Sequence, residues 1–206
     1  MVAGLAGISA LVLAAILFID QLGDSDTTTA APTTTTTAGV NTSSDTSPDR
    51  TSPPTFDPGG TTVVVDDTGT VSVAIPSDWI DVSGTGWVIE GDRVGPAITA
   101  AWNVDDWYSS WGTPGAFVGI STTEFEPQSG DFSSVCSPGD TFESESGSIA
   151  GTVTAWSGCG PEASEFHVLI ASPADASYSV LIQLVTIDGS GAETLEGLLN
   201  TLSYQP

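Results

Sequence analysis

The chain has 206 residues, enough for one ordinary domain or two small ones, and its charge is lopsided: 26 Asp and Glu against two arginines, a formal net charge of −24. Nucleic-acid binding draws on Lys and Arg to release counterions from phosphates, so this composition excludes it, and it disfavours adhesion to anionic lipid headgroups. The acidity either attracts cations and basic partners or is the general solubilising trait of proteins that work in salty surroundings.

Residues 2–19 form an eighteen-residue run without a charge, rich in Ala, Leu, Ile and Val. A membrane-spanning helix needs about 17–25 such residues, whereas the core of a secretory signal has about 7–15. No small-x-small cleavage pattern comes after it, because the chain continues Phe18-Ile19-Asp20-Gln21-Leu22. An uncleaved transmembrane anchor is therefore predicted over 1–22, with a removed signal peptide as the alternative. No Lys or Arg precedes the run to hold its start in the cytoplasm. The residues beyond the run carry the direction instead: Asp20, Asp24 and Asp26, a Thr/Ser tract and two cysteines fit export of the C-terminal part. The expected address is the cell membrane, single-pass, with an extracytoplasmic domain.

Residues 23–60 are dominated by Thr, Ser, Pro, Asp and Gly, and Phe56 is their only aromatic. Too little apolar surface exists there to offset the entropy of ordering the chain, which predicts a disordered stalk. Such Thr/Ser/Pro tracts are often O-glycosylated in exported proteins.

From Thr61 the pattern changes to short β-rich runs, and 61–206 reads as a single domain. Val63, Val64 and Val65 lead into Asp66-Asp67-Thr68-Gly69, after which Val71, Val73 and Ile75 alternate with small or polar residues, a hairpin ending at Pro76. Further strands are predicted over 86–90, 97–102, 116–121, 141–145 and 148–157. The most apolar two, 165–171 and 178–187, flank the turn signal Ser172-Pro173-Ala174-Asp175 and form a central hairpin. A short helix is predicted from an Asn103 cap through Asp105 and Asp106 to Ser110, with Trp107 and Trp111 four apart on one side. A second begins at a Ser190-x-x-Glu193 capping box, its apolar stripe made by Leu195, Leu198, Leu199 and Leu202. Mainly antiparallel strands with packed helices define an α+β sandwich.

Cys136 and Cys159 are the only cysteines. An even count in an exported domain predicts one disulfide, the alternative being two free buried thiols. Two Cys and one His fall short of a zinc set, and neither a metal nor a cofactor is expected.

Trp111-Gly112-Thr113-Pro114-Gly115, Cys136, and then Gly151-x4-Trp156-x2-Cys159-Gly160 together resemble a module of exported actinobacterial proteins. The Ala171-Ser172-Pro173 turn, the strand ending Val180-Leu181-Ile182-Gln183 and the Leu-rich helix continue the likeness over roughly 61–204. That module is similar to the PsbP-like α/β/α sandwich, which occurs alone or appended to trypsin-like proteases. The resemblance implies a fold and carries no catalytic set.

Three chemistries compete for the polar and aromatic residues. His167, the single histidine, falls mid-strand on the face opposite Phe166, Val168 and Ile170; as a general base for a serine it would make a surface hydrolase, but no Gly-x-Ser-x-Gly elbow accompanies it. The Asp66-Asp67-x-Gly69 and Asp105-Asp106 pairs would suit a Ca²⁺-stabilised display domain, yet no twelve-residue Asp-x-Asp-x-Asp-Gly loop appears and turn or cap use explains both. Glu124, Glu126, Glu143 and Glu145 alternate along extended segments and are expected to face solvent. Six tryptophans either fill the core or line a surface, and Trp107 and Trp111 are the candidate interaction residues. The expected role is a non-catalytic binding or accessory module, whose partner is another envelope protein, a small apolar molecule or a cell-wall component.

Overall fold

The computed structural model describes residues 60–89, 91–122 and 130–206. The apolar run at 2–19, the stalk, and Glu90, Glu124 and Glu126 lie outside them. Among the described residues no helix is long and apolar enough to cross a membrane.

The described residues form twelve strands and two helices in the order β1 (Thr61–Val65), β2 (Val71–Pro76), β3 (Asp81–Ser83), β4 (Trp87–Ile89), β5 (Asp92–Gly95), β6 (Ala97–Ala101), α1 (Val104–Ser109), β7 (Gly115–Ser121), β8 (Ser137–Ser146), β9 (Ile149–Cys159), β10 (Ser164–Pro173), β11 (Ser179–Thr186), α2 (Gly191–Thr201) and β12 (Ser203–Tyr204). Every pairing among them is antiparallel. Seven strands make the main sheet in the order β3-β6-β7-β11-β10-β9-β8, so the β10–β11 hairpin is central, as its apolarity predicts. The chain is a sheet-rich α+β protein.

Alternation along the central strands gives the sheet two apolar faces. Ile98, Val118, Ile182, Leu169 and Val153 point to one face, where the β1-β2-β12 sheet and α2 cover them with Val71, Val73, Ile75, Leu195, Leu198 and Leu199. Removing a Leu side chain of this kind from water contributes about 2 kcal/mol, so the leucine stripe holds α2 in place. Phe117, Leu181, Val185, Phe166 and Val168 point to the other face. There the cover is irregular: α1, the β4–β5 hairpin, and the segment carrying Phe132 and Cys136. The cysteines bond, joining that segment to the end of β9. Phe132 meets Trp111, Trp156 and Phe166 edge-to-face at centroid distances of 6.2, 5.8 and 4.8 Å. Gly119 makes the layer possible: a Cβ there would lie 2.7 Å from both the Trp87 and Phe117 rings, which themselves meet at 5.5 Å.

Local chemistry explains the turns. In the β1–β2 turn the Asp66 carboxylate accepts the backbone N–H groups of Thr68, Thr70 and Val71 at 3.0, 2.8 and 2.7 Å, together with the Thr68 hydroxyl. Burial alone would raise its pKa, but these donors together hold it below the ordinary carboxylate value. The Asn103 side chain caps α1 by accepting the Asp106 N–H at 2.8 Å, as predicted. The capping box expected at α2 does not form. Ser190 has φ −85° and ψ 6°, outside the extended cap geometry, and its N–H and hydroxyl both donate to Asp188 Oδ1 instead.

Candidate functional site

His167 lies on the α2 face of the sheet, opposite Leu184 of β11, and is almost fully buried. Burial, only partly offset by the Glu165 carboxylate, holds its pKa below the ordinary 6.5 and keeps the ring neutral at pH 7. The first residue of α2 closes over it: a Cβ on Gly191 would fall 2.2 Å from His167 Cε1 and 2.6 Å from Nδ1. Nδ1 is buried without a hydrogen-bond partner, and among the described residues no serine hydroxyl bonds to the ring. A general base has to reach its nucleophile's proton; here the ring is packed beneath a helix end.

Four tryptophans, Trp79, Trp87, Trp107 and Trp156, are buried in the two cores. Trp107 thus lies in the aromatic layer with its indole N–H buried and unpartnered, not on an interaction surface. Trp111 is half-buried and packs edge-to-face on Phe166 at 5.3 Å. The two rings do not act as a stacked pair: Trp107 meets its neighbour Tyr108 at 4.9 Å, while Trp111 turns to Phe132 and Phe166. Helix α1 ends at Ser109, and the extended backbone at Ser110 takes Trp111 away from its face.

The acidic pairs are absorbed by local structure. Asp66 is committed to its own turn, Asp105 and Asp106 sit in the first turn of α1, and among the described residues no three His, Cys, Asp or Glu groups gather as a metal site. Glu143 and Glu145 are exposed on β8, the outer strand of the main sheet, where Glu143 accepts the Thr152 hydroxyl at 3.2 Å.

A cleft forms at the start of α2, where four separate stretches of chain meet. Asp78 and Trp79 lie just after β2, Trp102 just after β6, Pro114 just before β7, and Thr186, Ile187, Asp188 and Ser190 join β11 to α2. It encloses about 260 Å³ including solvent at its mouth, and its interior has room for about one water-sized group. That is too small for a drug-sized apolar molecule, whose pockets start near about 300 Å³. The half-buried Trp102 indole N–H donates to Asp78 Oδ2 at 3.1 Å and fixes that carboxylate. Thr186, at 3% exposure, has a buried hydroxyl without a hydrogen-bond partner among the described residues. Sequence reasoning did not assemble this site, since no local motif links residues drawn from four segments; the Asp188-Gly189-Ser190 turn before the leucine helix is its only local mark.

Comparison with models of known protein families finds no match, and neither does comparison with curated protein sequences.

Proposed function

We propose that the chain is a membrane-tethered, extracytoplasmic, non-catalytic binding module, with a PsbP-like sandwich carried on a Thr/Ser/Pro-rich stalk. The observation that carries this reading is the Cys136–Cys159 disulfide, because such bonds persist in oxidising compartments outside the cytoplasm. The uncharged run at 2–19 and the stalk after it agree with that address. The packing of His167 beneath Gly191, without a hydroxyl partner among the described residues, favours binding over hydrolysis. The sheet-rich α+β architecture is compatible with a PsbP-like sandwich.

A C-terminal epitope on the full chain tests the arrangement. Protease added to intact cells is expected to remove the epitope while the chain stays in the membrane fraction until then. An epitope protected until lysis, or a chain released into the medium, would contradict it.

A further inference from the structure

We propose that the cleft at the start of α2 is a binding site for a primary alkylammonium group. This rests on the binding-module reading and supplies the ligand chemistry that reading leaves open.

Charge decides the sign of the ligand. The unpaired N–H groups that open a helix amount to about half a positive charge, which by itself would favour an anion. Asp78 and Asp188 set two full negative charges at the same cleft, and Glu193 adds a third in the first turn of α2. The balance is negative, so a cation is selected.

Hydrogen bonding decides the kind of cation. A primary ammonium has three N–H donors and no acceptor. Among the described residues, three side-chain acceptors of the residues lining the cleft are without a hydrogen bond. Asp78 uses Oδ2 for Trp102, leaving Oδ1. Asp188 uses Oδ1 for Ser190, leaving Oδ2. The third is the Thr186 hydroxyl, buried and unpartnered on the cleft wall. A buried hydroxyl left without a partner costs about 1–3 kcal/mol, and a donor brought by a ligand recovers it. Size agrees: the interior takes one water-sized group, which suits an ammonium but not a guanidinium or a tetramethylated nitrogen. A divalent metal fits poorly, since Ca²⁺ wants about six to eight oxygens.

The same headgroup is carried by a lysine side chain of a partner and by a free small amine. Calorimetric titration of the full chain in detergent micelles at low salt, with n-butylammonium, tetramethylammonium and acetyl-Gly-Lys-Gly-amide, separates these. Butylammonium is expected to bind at least about tenfold more tightly than tetramethylammonium. A peptide tighter than butylammonium assigns the site to a protein lysine, and a weaker one assigns it to a free amine. Asp78→Asn, which can still accept from Trp102, and the near-isosteric Thr186→Val are each expected to weaken butylammonium about fivefold or more. Glu143→Gln removes the same charge on distant β8 and is expected to change affinity by less than about twofold. The inference is overturned if tetramethylammonium binds as well as butylammonium, or if Asp78→Asn behaves like Glu143→Gln. Either outcome would leave the tethered module standing, because that reading falls on topology or on catalytic turnover, not on amine affinity.

Discussion

The two faces of the main sheet are built from the same strands but are closed by different means. One is sealed by regular elements: α2 presents Leu195, Leu198 and Leu199, and β2 presents Val71, Val73 and Ile75. The other is sealed by segments with little periodicity, which a disulfide and a set of edge-to-face aromatic rings hold down. Aliphatic periodicity suffices where a helix can lie along a sheet. Where the chain must cover a sheet with loops, covalent linkage and large rings supply what repeating contacts cannot. A domain with so few cations to pair its acids depends on these two means all the more.

Substitutions on each face should separate the two means. The largest effect is expected from Leu198→Ala on the α2 face, a loss of about 4 kcal/mol in urea unfolding, because a fully buried leucine leaves a cavity. The near-UV circular dichroism of the folded variant should change less than in the disulfide variant, since Trp79 is the one buried tryptophan in this core while Trp87, Trp107 and Trp156 lie in the other. Replacing both Cys136 and Cys159 by serine should cost about 3 kcal/mol through the freed loop and should alter the near-UV signal strongly. If the two variants gave the same spectroscopic signature, the faces would not be independent.

Asp66→Ala should cost about 2 kcal/mol, because three backbone donors and the Thr68 hydroxyl lose their acceptor. The folded pKa of Asp66 lies below the unfolded one, so its contribution is present above about pH 3.8 and is lost as pH falls through the lower folded value. Unfolding midpoints between about pH 5 and 2 should therefore fall less steeply in Asp66→Asn than in wild type.

His167 gives the smallest effect and also marks the α2 face. Its folded pKa is depressed, so as pH drops below about 6.5 the unfolded chain takes up a proton before the native one does, and stability declines. His167→Gln should flatten the stability profile between about pH 7 and 5 while leaving the near-UV signal unchanged. An unchanged pH slope would mean that the ring is not held neutral beneath Gly191.

The α2 face was largely legible in the sequence. The Val71-Val73-Ile75 alternation, the central hairpin and the leucine stripe each announced an element that exists, because periodicity encodes the face on which a residue lies. The aromatic face was legible only through its cysteines. Trp107 and Trp111 share a helical spacing that the extended Ser110 breaks, and Trp111 packs instead on Phe132 and Phe166, distant in sequence. Strands β3, β5 and β12, of two to four residues, were missed because pairing with neighbours rather than pattern defines them. The capping box failed through competition, since the Ser190 N–H and hydroxyl both donate to Asp188 and the hydroxyl makes no cap bond to the helix. The cleft was invisible for a related reason: Asp78, Trp102 and Thr186 meet only once the sheet has formed.

The central claim, a disulfide-closed domain displayed outside the cytoplasm, is tested most directly by thiol labelling on intact cells. The full chain is treated with a membrane-impermeant maleimide before and after an impermeant reductant. No labelling is expected before reduction; after it, as the freed segment opens and exposes the buried sulfurs, labelling at both Cys136 and Cys159 is expected without lysis. Labelling that needs lysis, or that needs no reductant, would contradict the account.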